Sequence, residues 1–326
     1  MIDDPVESAT HSHHSVLRCV GPFHDIVKVI VLNHMFLQDL CHRSIHSFAH
    51  CAVKGRAPPI NFFVPRPNGS YALHRHSIPG DQVDVVFMGT NGWYDTDTGN
   101  TLSVLVRSEE FNVVLDAGGG FHKLDRYADL SKPTVIMLSH HHLDHIIGLH
   151  QLARFRFTNK VIVVGIIGTH NILHELLRDP YSVPLGLIPY NIEVLEVKEG
   201  VHERPFLFHS RLLFHSTPCL GYRLELDGRS IAFCTDTGPC KNAVELARNV
   251  DLLITECAFR SGESSELWPH LTPEDALQIK EDSGAKRLVL THFDAFKYPT
   301  LRDREEIEER YPGKLTVSKD DMVISL

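Results

Sequence analysis

Downstream of position 82 the chain alternates short apolar runs, rich in β-branched residues, with Gly, Asp and Asn. Apolar runs of this length between turn-forming residues are typical of buried β-strands. The predicted strands lie at 83–88, 102–107, 112–115, 134–138, 161–164, 211–214, 222–226, 231–234, 252–255 and 287–291.

Helical periodicity is found between these runs, and it predicts helices at 144–154, 170–178, 240–247 and 273–283. The last helix has clear ends, because Thr272 can cap it, Pro273 suits its first position and Gly284 can stop it. Strands dominate and helices punctuate them, so the pattern indicates an α+β protein with two packed sheets covered by helices.

Residues 1–80 have a different character. They hold ten of the 23 histidines, and Pro58, Pro59, Pro65 and Pro67 make their end proline-rich. A histidine-rich tract can bind metal, but no regular spacing emerges here. We expect a poorly ordered N-terminal extension at 1–80 and a hydrolase domain at 81–326.

Composition and charge exclude several classes of protein. The formal net charge is −9, and residues 81–326 carry 25 Lys and Arg against 36 Asp and Glu, which argues against a broad nucleic-acid surface. The seven cysteines are scattered without a C-x-x-C pair, so a reducing, cytoplasmic compartment is expected. The most apolar early stretch is too short and too polar to span a membrane.

The segment Ser139-His140-His141-His142-Leu143-Asp144-His145 concentrates imidazoles and a carboxylate between a predicted strand and a predicted helix. Such a turn can direct several side chains at one point, and this ligand set suits zinc and related divalent ions. The alternative is a surface cluster of histidines.

The segment reads H-x-H-x-D-H and resembles the main motif of the metallo-β-lactamase superfamily; Asp116-Ala117-Gly118 resembles its first motif. The resemblance implies a four-layer αβ/βα sandwich of the metallo-β-lactamase type. It also implies that His140 and His142 bind one metal, and that Asp144 and His145 bind a second. We interpret Asp116 as an orienting group, and His141 as a neighbouring or solvent-facing residue.

Three later residues resemble the remaining ligands in their order along the chain. His215 would complete the first metal's protein ligands from the end of a strand, Asp236 would bridge the metals, and His292 would bind the second metal. Each also has a structural interpretation: a packed strand-end histidine for His215, a turn carboxylate for Asp236, and a cap for His292.

The sequence around His215 resembles the ribonuclease Z and cyclic-nucleotide phosphodiesterase branch of the superfamily. In that branch a histidine contacts the scissile phosphate and protonates the leaving oxygen, and a glutamate orients it. The matching residues are His270 and Glu256, which with Asp144 form the expected catalytic set. Thr255 departs from the histidine that is frequent in the branch. Alternatively, Glu256 is a buried structural carboxylate and His270 a helix-entry residue.

The resemblance implies a dinuclear, metal-dependent phosphodiesterase that uses a metal-bridging hydroxide. Zinc is the favoured metal, with manganese or iron as alternatives. Because only about twenty residues separate His215 from Asp236, we see no room there for a tRNA-gripping arm, and we expect a small phosphodiester as substrate. A carboxylic-ester, thioester or lactam hydrolase and a non-catalytic metal-binding module are the alternatives. A homodimer is left open, and no membrane partner is expected.

Overall fold

The computed structural model describes residues 61–65, 71–75 and 82–326. Strands β1 (Asn61–Pro65) and β2 (Tyr71–Arg75) pair antiparallel within a compact unit that ends at Ser77. Otherwise the extension predicted at 1–80 lies outside the described residues. The second compact unit, from Ile78 to Leu326, carries the predicted hydrolase domain.

The first large sheet of the second unit has seven strands in the order β18-β3-β5-β6-β7-β8-β9. Its strands from β6 to β9 run parallel, and those from β18 to β6 are antiparallel. The strands are β3 (Asp84–Gly89), β5 (Ser103–Arg107), β6 (Asn112–Leu115), β7 (Thr134–Met137), β8 (Val161–Ile166), β9 (Ile192–Val197) and β18 (Met322–Ser325).

The second large sheet also has seven strands, in the order β10-β11-β12-β13-β14-β15-β17. Its strands from β13 to β17 run parallel. The strands are β10 (Gly200–His202), β11 (Phe208–Leu212), β12 (Leu220–Leu226), β13 (Arg229–Cys234), β14 (Leu252–Glu256), β15 (Arg287–Thr291) and β17 (Thr316–Val317). A separate parallel pair joins β4 (Asn91–Gly92) to β16 (Phe293–Asp294).

The described α-helices are α1 (Leu124–Tyr127), α2 (Leu143–Ile146), α3 (Thr169–Leu176), α4 (Lys241–Leu246), α5 (Pro273–Ser283) and α6 (Leu301–Arg310). Short 3-10 helices span Gly119–Lys123, Ile147–Arg154 and Leu185–Leu187. Helix α5 has the predicted bounds, and Thr272 forms a reciprocal capping box with Asp275.

Three apolar clusters show how the layers are stacked. One cluster packs the facing sides of the two sheets and includes Phe87 and Val104 of the first sheet with Tyr222 and Phe233 of the second. The other two pack helices against the outer faces of the sheets. The expected four-layer α+β sandwich is therefore confirmed: each sheet buries one face against the other sheet and its opposite face against helices.

Two predicted elements differ from the structure by more than two residues at one end. The strand predicted at 211–214 ends earlier, because β11 spans Phe208–Leu212 and Phe214 makes only an isolated bridge to Gly238. The helix predicted at 144–154 is α-helical only over Leu143–Ile146 and continues as a 3-10 helix. His215 therefore lies in a loop after β11 and not at the end of a strand.

The parallel strands end at one edge of each sheet. Asp116 follows β6, and the histidine motif follows β7 in the first sheet. In the second sheet Asp236 follows β13, Glu256 is the last residue of β14 and His292 follows β15. Neighbouring parallel strands end side by side, so their following residues share one edge.

Candidate metal centre

A first group of side chains gathers at the end of β7. Ligand atoms of His140, His142, His215 and Asp236 all lie within 4.8 Å of one another. The side chains of His140 and His215 are buried, whereas His142 is partly accessible. The structure thus joins the loop after β7 to the loops after β11 and β13.

A second group consists of Asp144, His145 and His292, whose ligand atoms also lie within 4.8 Å of one another. The two imidazole nitrogens His145 Nε2 and His292 Nε2 are 3.2 Å apart. His292 Nε2 lies 3.3 Å from Asp144 Oδ2. The group thus joins helix α2, which follows β7 of the first sheet, to the end of β15 in the second sheet.

Asp236 lies between the two groups and reaches both. Its Oδ2 atom is 3.7 Å from His140 Nε2 and 3.7 Å from His215 Nε2. Its Oδ1 atom is 3.2 Å from His145 Nε2 and 3.1 Å from His292 Nε2. A carboxylate placed this way can share its two oxygens between two cations.

The donor atoms of both groups fit divalent cations. Among the described residues, the buried nitrogens His140 Nε2, His215 Nδ1 and His292 Nδ1 have no hydrogen-bond partner. A buried polar atom without a partner costs free energy, and His140 Nε2 faces Asp236 inside the first group. Imidazole nitrogens and carboxylate oxygens converging in this way are the ligands that zinc and related ions take.

The ionisation of the groups suits cation binding. Burial, reinforced by the charge of His145, holds the pKa of His140 well below its usual range, so His140 is a neutral imidazole. Burial opposes ionisation of Asp144 and Asp236, but nearby histidines lower the pKa of both carboxyl groups. Burial also lowers the pKa of His145, yet Asp236, Asp144 and Asp116 together raise it well above its usual range. The same negative field would favour a cation at this place, and that cation would replace the proton of His145, because a histidine ligand must be neutral.

Asp116 orients His145 and takes no place in either group. Its Oδ2 atom accepts a hydrogen bond of 2.8 Å from His145 Nδ1, and Ser139 donates to both carboxylate oxygens. A hydrogen bond at Nδ1 leaves Nε2 of His145 free to bind a cation. Asp116, Asp236 and His292 all have positive φ angles, of 57°, 52° and 50°, which is backbone strain of the kind found at functional sites.

Gly118 allows the first motif to approach the histidine motif. A Cβ atom at this position would lie 2.1 Å from the carbonyl oxygen of Asp144. Next to it, the Ala117 backbone N–H donates to the His145 carbonyl at 2.8 Å. The Asp-x-Gly sequence therefore serves close backbone packing as well as orientation of His145.

His270 and Glu256 form a pair beside the two groups. His270 Nδ1 is 2.9 Å from both carboxylate oxygens of Glu256, and Glu256 is fully buried. A ligand atom of His270 lies within 4.8 Å of those of Asp236 and His292. Burial lowers the pKa of His270, but the Glu256 carboxylate outweighs this effect and raises the pKa to about 9. His270 is therefore a charged imidazolium near neutral pH.

Two further residues of the motifs lie outside the groups. His141 Nε2 donates to Thr169 Oγ1 at 2.9 Å. Thr255 is buried and donates to the Cys234 carbonyl at 2.8 Å, so it does not reach His270. The departure at Thr255 thus leaves the Glu256–His270 pair intact.

Sequence analysis missed Trp93. Its backbone N–H donates to Asp144 Oδ2 at 2.8 Å, and its side chain is 69% exposed. Nothing in the sequence indicates this contact, because 51 positions separate the two residues and the donor is a backbone group.

The family model for the beta-lactamase superfamily domain matches residues 111–293, which contain every residue of both groups. The chain belongs to the metallo-β-lactamase superfamily. Within this superfamily its relatives and structural neighbours include ribonuclease Z and PhnP-family proteins.

Three proteins illustrate the similarity. "Probable metallo-hydrolase YhfI" of Bacillus subtilis is 22% identical over 248 residues, and the match covers 74% of this chain and 99% of that protein. The crystal structure of YhfI matches with a TM-score of 0.61 at 21% identity, covering 76% of this chain and 100% of that structure. Ribonuclease Z of Clostridium tetani is 23% identical, covering 75% of this chain and 98% of its own. A diphosphatase from the PhnP family matches with a TM-score of 0.58 at 19% identity, covering 75% of this chain and 97% of its own.

Divalent metals are implied by this fold together with the two His/Asp groups. No helix in the described part of the chain has the length and apolar character needed to cross a membrane.

Proposed function

We propose that the protein is a dinuclear metal-dependent phosphodiesterase that hydrolyses a small phosphodiester. His140, His142 and His215 would hold one cation, Asp144, His145 and His292 the other, and Asp236 would contact both. Divalent cations bound there supply a water of lowered pKa and stabilise negative charge on the phosphoryl oxygens.

The observation that carries this proposal is the His270–Glu256 pair. Hydrolysis of a phosphodiester needs a proton for the departing alkoxide, particularly when the leaving group is poor. His270 has a proton to give near neutral pH, and Glu256 holds its Nδ1 atom so that Nε2 can point towards substrate. A lactam or thioester hydrolase of the same fold does not need a protonated histidine that contacts a phosphate.

The acidic balance of residues 81–326 supports a small substrate over an extended nucleic acid. Among the relatives, ribonuclease Z and the PhnP-family diphosphatase carry names that refer to phosphate-bond hydrolysis. Those activities belong to the named proteins. For this chain, their names support a phosphate ester as the class of bond that is cleaved.

An exposed tryptophan beside the first group favours a substrate with a flat organic group. The Trp268 ring lies 6.3 Å from the His142 ring and is 56% exposed. An exposed aromatic ring beside a polar site can stack on a planar substituent of the substrate.

A substrate panel on metal-analysed protein tests the proposal. Purified without added metal, the protein should contain a divalent ion, for which zinc is our proposal, and it should cleave bis-p-nitrophenyl phosphate faster than nitrocefin or a thioester. His270→Ala should lower the rate by about 10²–10⁴-fold for diesters with poor leaving groups. Faster turnover of nitrocefin or the thioester would favour the ester, thioester or lactam alternative. A fully metallated protein inert on the whole panel would favour a metal-binding module.

A further inference from the structure

Arg304 of α6 is the largest fully buried side chain in the described part of the chain, with 1% of its surface exposed. It forms no ion pair with any described residue. Its guanidinium group instead donates to Asn91 Oδ1 at 2.6 Å, Thr98 Oγ1 at 3.1 Å and Thr90 Oγ1 at 3.2 Å. It also lies 4.7 Å from the ring centre of Phe293, the residue after His292.

The segment held by Arg304 is itself closely folded. The Asn91 side-chain amide donates to the Gly99 carbonyl at 2.9 Å and to Thr96 Oγ1 at 2.9 Å. Asn91 also pairs with Phe293 in the ladder between β4 and β16. Arg304 therefore contacts both members of this pair, Asn91 of β4 through a hydrogen bond and Phe293 of β16 through its ring.

The residues after Asn91 touch the second group directly. A Cβ atom on Gly92 would lie 2.6 Å from Cε1 of His292, so the Gly92 backbone packs against that ring. The next residue, Trp93, has a φ angle of 72° and donates its N–H to Asp144 Oδ2 at 2.8 Å. Among the described hydrogen bonds, none links residues 90–93 to the first group.

We propose that Arg304 is a positioning residue for the second metal site: it fixes residues 90–93, which in turn set the ring of His292 and the carboxylate of Asp144. This inference rests on the proposed dinuclear centre. It assigns to a helix near the end of the chain, about 160 residues from the histidine motif, control over one half of that centre.

A purely structural role accounts poorly for a guanidinium at this place. Burying a charge without a carboxylate in direct contact is costly, even though Asp320 accepts a hydrogen bond from Thr90 Oγ1 at 2.8 Å nearby, and apolar residues of similar volume commonly stabilise such sites as well or better. What an arginine offers here is a rigid planar fork that donates several hydrogen bonds in fixed directions. Residues that orient metal ligands typically change metal affinity by 10–100-fold when they are removed.

The test compares Arg304→Met with Arg304→Lys and with Arg302→Met, an exposed control on the same helix. Each metal-free protein is titrated with Zn²⁺ against a chromophoric chelator and with Co²⁺ by absorption spectroscopy, alongside thermal unfolding. For Arg304→Met we expect two separate affinities, with the first site unchanged and the second weakened about 10–100-fold. Arg304→Lys should be intermediate, and Arg302→Met should match the wild type.

Gly92→Ala tests the same metal site by a different route, through the ring of His292 that packs against Gly92. Its new methyl group must displace His292, so it should weaken the second site in the same way without removing Arg304. If Arg304→Met does not fold, Arg304→Lys and Gly92→Ala carry the test. Equal weakening of both sites, or a lower unfolding temperature with both affinities unchanged, would overturn the proposal. These titrations use no substrate, so a wrong choice of phosphodiester in the proposed function would leave their result unaffected.

Discussion

At the scale of single residues, Asp236 connects the two halves of the site. Its Oδ2 atom faces His140 and His215, and its Oδ1 atom faces His145 and His292. Its backbone has a positive φ, a conformation that costs a non-glycine residue free energy. The strain is retained where one carboxylate has to reach two groups.

Glu256→Gln should change the pH dependence of the reaction. The carboxylate raises the pKa of His270, so a neutral amide should let that pKa fall. Because His270 acts as an acid, the rate declines as pH rises through its pKa, and the alkaline limb of kcat/KM should move to lower pH. The profile is measured with a poor-leaving-group diester, with His270→Ala as the control that lacks this limb. An alkaline limb unmoved in Glu256→Gln would contradict the assignment.

Asp116→Asn should weaken metal binding without unfolding the protein. The amide keeps the size of the side chain but loses the charge that orients and polarises His145 through Nδ1. We expect an affinity loss of about 10–100-fold at the group containing His145, measured by chelator competition. Asp125→Asn, which alters an exposed carboxylate paired with Arg154, is the matched control. Wild-type affinity in Asp116→Asn would show that the hydrogen bond does not tune the site.

At the scale of elements, helix α6 buries few side chains and begins with a capping box. Only Arg304 and Ile307 are buried along its length. Thr300 accepts from the Asp303 backbone N–H at 3.3 Å, and Asp303 Oδ2 accepts from the Thr300 N–H at 3.0 Å. This reciprocal arrangement satisfies backbone donors that the first turn of a helix leaves free.

Thr300→Ala should lower the free energy of unfolding by about 1 kcal/mol, because the helix loses its N-cap acceptor. Chemical denaturation measures the change. Thr158→Ala, at an exposed threonine, should stay within about 0.5 kcal/mol of the wild type. Equal effects of the two substitutions would mean that the capping box adds no stability.

The predicted elements were most accurate where the sequence has both a hydrophobic periodicity and residues that mark the ends of the element. Helix α5 matches its predicted bounds, since its cap, proline and terminal glycine are local signals. Helix α6 was not predicted although Thr300 and Asp303 offer the same kind of cap, because its ten residues include only two apolar side chains, Leu301 and Ile307. Strand β9 was also missed: Ile192–Val197 lies at an edge of its sheet and is mostly half-buried.

At the scale of the whole molecule, the two sheets meet at the site. The first group takes His140 and His142 from the first sheet's side and His215 and Asp236 from the second. The second group likewise combines Asp144 and His145 with His292. Bound cations would therefore link the two halves of the sandwich.

Removing metal should accordingly destabilise the fold. A ligand that binds only the folded state stabilises it by mass action, by about 2.7 kcal/mol at 100 times its Kd. We expect a chelator to lower the unfolding temperature and to abolish activity, and excess Zn²⁺ to restore both. His140→Ala, which lacks a first-group donor, should respond less to added Zn²⁺. An unfolding temperature that stays constant while the measured metal content falls would contradict this prediction.

The sequence by itself determined the strand-rich layered fold and the order of the candidate ligands. It could do so because strand periodicity and the H-x-H-x-D-H spacing are local properties of the chain. Even without the structure, His140 and His142 could be paired with His215, and Asp144 and His145 with His292, by resemblance to the superfamily.

Only the tertiary structure decided which atoms converge and what supports them. The two-sided reach of Asp236, the backbone contact from Trp93 to Asp144 and the buried guanidinium of Arg304 join residues that are distant along the chain. Backbone donors and buried charges leave no periodic trace in a sequence. Their positions follow from how the two sheets pack face to face and bring their strand ends together, so they appear only once the chain is folded.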